Sequence, residues 1–223
     1  METLLYFIAI GLALWAQVQV KNKYAHFANV STRGHRSGAE IARSILDSRG
    51  LRSVDVLQSQ SGVLSDHFDP KTNTVHLSPK VYQGSSIASV AIAAHEVGHA
   101  IQYAENYSFI SARNTILPLA IISGHLAWIV AIIGLMTQAM SIFYLGIAML
   151  LVIASFQLLT LPIEFDASAR ALTILRSDGY LDADEIVDSK SMLSAAALTY
   201  VAALLATLLQ ILRLIMLSNR RKD

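Results

Sequence analysis

The residues best suited to chemistry are two histidines and a glutamate, His95, Glu96 and His99. Residues four apart on a helix lie one turn above each other on the same face. This spacing allows both imidazoles to reach one zinc ion and leaves Glu96 beside it, where it can take a proton from a water that the metal activates. The neighbouring residues are mostly Ala, Val and Ile, as in a buried helix. The pattern predicts a zinc site; the alternative is an ordinary helix with two core histidines.

The composition indicates a chain that is largely hidden from water. Of its 223 residues, 54% are hydrophobic and 15% are charged, and the mean hydropathy is +0.49. The net charge of +1 and the lack of a basic run in the polar segments give no reason to expect nucleic acid as a partner. Because the chain has no cysteine, disulfides and thiolate zinc ligands are excluded, and histidine and carboxylate remain as metal ligands.

Four long apolar runs predict membrane-spanning helices, so the lipid bilayer is an expected partner. The runs cover about residues 4–20, 116–136, 140–161 and 193–217. Lys21 and Lys23 follow the first run, whereas a cleaved signal peptide carries its positive charge before the apolar core. His125, inside the second run, is expected to be a neutral, hydrogen-bonded packing residue. A transporter that uses His125 and Arg213 is disfavoured, because the spans hold almost no other ionisable groups.

The polar segments, residues 21–115 and 162–192, are expected to form a small α+β catalytic part. Ser37 and Glu40 match a capping box at the start of an amphipathic helix, and Gly50 is placed to end it. Pro162 is expected to start a new helix directly after the third span.

Three short alternating segments predict strands. Residues 51–57 alternate between apolar and polar side chains, and residues 62–68 and 74–78 do so on either side of a Pro- and Asn-containing turn, as in a β-hairpin. His67 and His76 on this hairpin are expected to be structural or solvent-facing. The expected fold class is therefore a mostly α membrane protein with about four transmembrane helices and a small α+β part. Residues 1–223 are expected to form a single membrane-embedded domain.

Four motifs in the polar segments form a specific combination. They are Asp66-His67-Phe68-Asp69-Pro70, Leu77-Ser78-x-x-Val81-Tyr82, Ala94-His95-Glu96-x-Gly98-His99-Ala100-x-Gln102 and Pro162-x-Glu164-Phe165-Asp166-Ala167-Ser168. The combination resembles the YugP family of bacterial neutral zinc metallopeptidases. More distantly, Glu164-Phe165-x-Ala167 is similar to the segment that supplies the third zinc ligand in HtpX-like and CAAX-prenyl membrane proteases. Those zincins carry Asp four residues after the Glu, where this chain has Ser168, so Asp166 and Arg170 are the candidates to substitute for it.

The resemblance implies a membrane zinc metalloendopeptidase in which His95, His99 and Glu164 hold Zn²⁺ and one position stays open for water. Glu96 is then the general base, which deprotonates the water for attack on a peptide carbonyl and passes the proton to the leaving amine. The expected partners are protein or peptide substrates, membrane proteins among them, which the hairpin could bind along an edge strand. The alternative is a non-enzymatic membrane adapter or scaffold with a structural zinc site.

Two other acidic residues compete for the position of third ligand. Glu105 is six residues after His99, as in metzincins, but those enzymes need a Gly where this chain has Gln102. On a continuing helix Glu105 would rise about 9 Å beyond His99, too far for a zinc–oxygen bond of about 2 Å. Asp166, two residues past Glu164, projects from a different face of its helix. The candidates for stabilising an oxyanion are Arg170, Tyr103 and Tyr82.

The positions of the basic residues favour a cytoplasmic catalytic part in the bacterial inner (plasma) membrane. Lys21, Lys23 and Arg113 flank the spans on the side of the polar segments, as the positive-inside rule predicts for the cytoplasm. Arg220, Arg221 and Lys222 would lie on the other side if the last helix crosses fully, which contradicts the rule locally.

Overall fold

The computed structural model describes residues 2–62 and 65–220. In chain order its elements are α1 (Glu2–Phe27), α2 (Gly38–Ser48), β1 (Asp55–Gln58), β2 (His67–Asp69), β3 (Thr74–Leu77), α3 (Pro79–Gln83), α4 (Ile87–Ala104), α5 (Ser108–Met136), α6 (Met140–Ser177) and α7 (Ala183–Arg220). Val63 and Leu64, in the first arm of the expected hairpin, and Arg221 and Lys222 of the basic tail lie outside the described residues. The protein is mostly α-helical with a small mixed sheet, which confirms the expected fold class.

Four of the helices are long and apolar enough to cross a membrane: α1, α5, α6 and α7. Each contains one of the apolar runs and extends beyond it. α6 has 38 residues and is therefore about 57 Å long, whereas the hydrocarbon core of a bilayer is about 30 Å thick. A large part of α6 thus remains available outside the bilayer.

The expectation that Pro162 starts a new helix is wrong, because α6 continues through it to Ser177. Proline removes one backbone hydrogen bond of a helix, but apolar membrane helices tolerate it where other groups compensate. The last helix begins at Ala183, ten residues before the apolar run at 193–217. Its start is stabilised by Glu185, whose side chain accepts a hydrogen bond from the backbone N–H of Asp182.

The chain divides into two compact units. We call residues Met1–Val18, Ser108–Pro162 and Leu198–Asp223 the membrane unit, and residues Gln19–Tyr107 and Ile163–Ala197 the polar unit. The single domain expected for residues 1–223 stays a prediction.

In the membrane unit, small residues bring helices close together. A Cβ atom on Gly146 of α6 would lie 2.6 Å from the Cα of Ala131 on α5, and one on Gly134 would lie 2.6 Å from the Cα of Phe143. Ala127, Ala131 and Phe143 are fully buried at this contact. Such close approach is how helices associate in lipid, where burial from water supplies no driving force.

In the polar unit, α2 has the predicted capping box of Ser37 and Glu40. It ends as expected at Gly50, which has a φ of 75°. The backbone N–H of Leu51 returns to the carbonyl of Leu46, completing a Schellman motif. A turn closed by a hydrogen bond from Val54 N–H to the Leu51 carbonyl follows, so the first strand starts at Asp55, later than the alternation of residues 51–57 predicts.

The three strands form a sheet in the order β1-β3-β2. β2 and β3 are antiparallel with His67 opposite His76, which confirms the hairpin, while β1 pairs with β3 in parallel. β2 is therefore an edge strand. Its Phe68 packs on Tyr103 of α4, with ring centroids 5.4 Å apart, so the edge strand lies against the helix that carries His95 and His99.

Candidate metal centre

The candidate site is built where α4 and α6 approach closely. α4 starts at the N-cap Ser86 and is buried along most of its length. A Cβ atom on Gly98 would lie 2.7 Å from the backbone oxygen of Ala167 on α6, a distance that real Cβ atoms essentially never show. Glycine at this position is what allows α6 to reach α4. Since Ala167 lies three residues after Glu164, the contact also brings the Glu164 side chain to the face of α4 that carries the histidines.

His95, His99 and Glu164 meet at this contact. Glu164 Oε2 is 3.4 Å from His95 Nε2 and 3.8 Å from His99 Nε2. Among the described residues, these three form a group whose ligand atoms all lie within 4.8 Å of one another. Atoms bound about 2.0–2.2 Å from a tetrahedral zinc ion are roughly 3.3–3.6 Å apart, and two histidines with one carboxylate are a known zinc ligand set. The residues present therefore fit zinc.

Glu96 lies between the two histidines in sequence and is 8% exposed. Burial raises the pKa of its carboxyl group, and the nearby His95 and His99 only partly offset this rise. A carboxylate with a raised pKa binds a proton more readily, which is the property that a general base needs.

The second ring nitrogen of each histidine, Nδ1, also has a hydrogen-bond partner. His95 Nδ1 is 3.1 Å from Ser168 Oγ, and His99 Nδ1 is 3.0 Å from Gln102 Oε1. In zinc sites such contacts fix the ring orientation and leave the other ring nitrogen for the metal. Ser168 itself makes the contact with His95, whereas Asp166 contacts Gln102 and Arg170. Whether Asp166 or Arg170 takes over the role of the Asp in the HtpX-like and CAAX-prenyl zincins stays a prediction.

Known proteins resemble this chain over nearly its whole length. A family model described as "Putative neutral zinc metallopeptidase" matches residues 2–219. The chain belongs to this family. It is also similar to the "Putative membrane protease YugP" of Bacillus subtilis (strain 168), with 40% identity over 215 residues, which cover 96% of this chain and 95% of that protein. No solved structure matches. The predicted family membership is thus confirmed.

In this metallopeptidase family member, the two other acidic candidates for the third ligand, Glu105 and Asp166, lie outside the group formed by His95, His99 and Glu164. Glu105 Oε2 is 2.6 Å from Arg170 Nη1, and α4 continues to Ala104 as the argument against Glu105 requires. Asp166 Oδ2 is 2.5 Å from Arg170 Nε and 2.7 Å from Gln102 Nε2. Both carboxylates are therefore ion-paired with Arg170.

Two of the three candidates for an oxyanion stabiliser already contact other residues. Arg170 is bound by two carboxylates, and the Tyr103 ring packs on Phe68. Tyr82 is partly exposed on α3. This role stays a prediction.

Three further histidines can be placed. His67 and His76 stack with their ring centroids 4.8 Å apart on the hairpin, and His67 Nδ1 is 2.9 Å from the backbone oxygen of Ser65, so the hairpin pair is structural as expected. His125 is exposed on α5, and its role as a neutral, hydrogen-bonded packing residue stays a prediction.

The contacts of Gln102 and Ser168 were not predicted from the sequence. A signal for Gln102 exists, since an amide three residues after His99 on an apolar helix must lie on the histidine face, where it needs polar partners. No comparable signal identifies Ser168, because its contact depends on how closely α6 approaches α4.

Proposed function

We propose that this chain is a zinc-dependent membrane endopeptidase that hydrolyses peptide bonds of protein substrates. The observation that carries the proposal is the convergence of His95 Nε2, His99 Nε2 and Glu164 Oε2 from two different helices. Membership of a zinc metallopeptidase family supports it. Zinc held by these atoms would polarise the peptide carbonyl and make a nearby water easier to deprotonate.

Glu96 is the proposed general base. Its carboxylate takes a proton from the attacking water while the water oxygen bonds to the carbonyl carbon. The same proton then passes from Glu96 to the amine nitrogen as the carbon–nitrogen bond breaks. The burial of Glu96 suits both steps, since the raised pKa favours proton uptake and the enclosure limits exchange with bulk water.

The position of β2 supports a polypeptide as the substrate. β2 is an edge strand, and Phe68 on it contacts Tyr103, one residue beyond Gln102 on α4. An extended peptide that adds to this edge by backbone hydrogen bonds would pass beside the site helix. A substrate peptide whose backbone nitrogens are methylated at alternate positions should therefore show a raised KM; an unchanged KM would exclude this mode of binding.

The test of the mechanism is Glu96→Gln in the purified full-length protein. Loss of a general base costs about 10²- to 10⁴-fold in rate, while zinc content should stay near that of the parent because Glu96 is not a proposed ligand. Glu105→Gln is the matched control, because it makes the same change at the end of the same helix. A folded, zinc-loaded Glu96→Gln protein with near-parental activity would disprove the assignment.

Chelation separates the enzyme from a non-enzymatic adapter. Hydrolysis of an unfolded protein should stop when a chelator removes the metal and return when zinc is added. A folded, zinc-loaded protein that cleaves neither unfolded nor membrane protein substrates would instead support an adapter or scaffold.

We also propose that the polar unit faces the cytoplasm, as Lys21, Lys23 and Arg113 suggest under the positive-inside rule. Because the chain has no cysteine, a single introduced thiol reports the side directly. Lys71→Cys, in the exposed hairpin turn, should react only after the membrane is permeabilised. Thr137→Cys, between α5 and α6, should react from outside. The opposite pattern would reverse the orientation.

A further inference from the structure

Gln102 is a fully buried amide on α4, three residues after His99. Its Oε1 atom is 3.0 Å from His99 Nδ1. Its Nε2 atom donates to the backbone oxygen of Ile163 at 2.8 Å and to Asp166 Oδ2 at 2.7 Å. One side chain thus joins a histidine of the site to the segment of α6 that carries Glu164.

The partners of Gln102 determine which way its amide points. The Ile163 carbonyl can only accept hydrogen bonds, and Asp166 Oδ2 also accepts one from Arg170 Nε at 2.5 Å. The NH₂ end of Gln102 must therefore face α6, and Oε1, an acceptor, must face His99. His99 Nδ1 then carries the proton, and the Nε2 lone pair is left facing Glu164.

Further hydrogen bonds and ion pairs connect Asp166 to the end of α4. Arg170 donates through Nε to Asp166 and through Nη1 to Glu105 Oε2 at 2.6 Å. Glu105 is the C-cap residue of α4, so this series of hydrogen bonds begins and ends on α4. Gln102 is the member that touches the site, and Arg170 holds Asp166 in place as its acceptor.

We propose that Gln102 is the positioning residue of the zinc site: it selects the His99 tautomer that leaves Nε2 for the metal, and it ties His99 to the helix that bears Glu164. The inference rests on the proposed function in so far as zinc binds at His95, His99 and Glu164. The role requires a side chain that accepts a hydrogen bond from His99 at one atom and donates hydrogen bonds to α6 at another. The amide of Gln102 does both, whereas a carboxylate or an apolar side chain of the same length cannot.

The experiment measures zinc affinity by competition with a chromophoric chelator, together with the visible spectrum of the Co²⁺-substituted protein. Gln102→Met keeps the length of the side chain and removes both polar ends. We expect about 10- to 100-fold weaker zinc binding, the usual effect of losing a partner of a metal-bound histidine, and an altered Co²⁺ spectrum. Gln83→Met is the matched control, because Gln83 is exposed on α3 and donates to the Gln58 side chain; its zinc affinity should equal that of the parent.

A second variant tests the donor–acceptor logic and does not depend on Gln102→Met folding. Gln102→Glu keeps an acceptor for His99 but turns a carboxylate oxygen toward the Ile163 carbonyl and Asp166 Oδ2, where the parent has a donor, so it should weaken zinc binding to a similar extent. Parental zinc affinity in Gln102→Met or in Gln102→Glu would overturn the positioning role. A parent protein that does not bind zinc would instead overturn the proposed function.

Discussion

Both units bring helices together through small residues, but they use the close approach differently. In the membrane unit, Gly146 meets Ala131 and Gly134 meets Phe143, and apolar packing surrounds the contacts. In the polar unit, Gly98 meets Ala167, and the contact is surrounded by the paired polar groups of the candidate site. A glycine contact that only packs helices in one unit brings the three candidate ligand residues together in the other.

The candidate site and the membrane unit also differ in how their buried polar atoms are paired, although Ser189 Oγ elsewhere in the polar unit is likewise without a partner among the described residues. In the membrane unit, Ser123 Oγ and Gln157 Oε1 are buried without a hydrogen-bond partner within the described ranges. At the site, His95, His99 and Gln102 all have partners at 2.7–3.1 Å. Polar groups that must hold a geometry need paired neighbours, whereas the membrane unit can be held by packing alone. This contrast predicts which substitutions disturb the site and which disturb only the packing.

The largest expected effect is that of Glu164→Ala. It removes one of the three ligand atoms and leaves two histidines facing an empty position, so zinc and activity should be lost together. Glu105→Ala is the matched control, and it should keep both because Glu105 contacts Arg170 and not the group of three. Zinc content after gel filtration and peptide hydrolysis are the measurements. Tightly bound zinc in the Glu164 variant would refute the ligand assignment.

A smaller but informative effect is expected from adding one methyl group to a glycine contact in each unit. Gly98→Ala should destabilise the protein by about 1–3 kcal/mol, as overpacking does, and should also weaken zinc binding, since it pushes Ala167 and hence Glu164 away. Gly134→Ala should destabilise by a similar amount but leave the zinc affinity of the folded protein unchanged.

Gly124→Ala provides the baseline for both, because nothing lies within 4 Å of a Cβ atom at that position. Thermal unfolding in detergent and chelator competition measure the two quantities separately. Equal losses of zinc affinity in the Gly98 and Gly134 variants would remove the distinction between the units.

The smallest effect is expected for two serine-to-alanine changes. Ser168→Ala removes the partner of His95 Nδ1, which should weaken zinc binding by about tenfold, the lower end for such contacts. Ser123→Ala removes a buried hydroxyl without a partner among the described residues, so stability should stay the same or rise. If Ser168→Ala leaves the zinc affinity unchanged, the contact with His95 contributes nothing to the site.

Much of this architecture follows from local sequence patterns. The i, i+4 spacing of His95 and His99, the apolar runs and the capping box of Ser37 each depend on neighbouring residues, and the structure confirms the elements that they predict. The extent of α6 does not follow, because a proline such as Pro162 indicates a helix start in water but is tolerated within a long membrane helix. The partners of Gln102 and Ser168 depend on residues about 60 to 70 positions away in sequence and on the approach that Gly98 allows.

Pro162 has a mechanical consequence for the site. It is the last residue of the membrane unit, and Ile163 is the first residue of the polar unit on α6. Because proline has no N–H, the helix lacks the backbone hydrogen bond to the carbonyl of Leu158, and we expect α6 to bend most easily there. On the polar-unit side, the Ile163 carbonyl is bound by Gln102 and Ala167 packs directly on Gly98. The turn of α6 that carries Glu164 is therefore fixed at both ends by contacts within the polar unit, which makes it the stiffest stretch next to a weakened one.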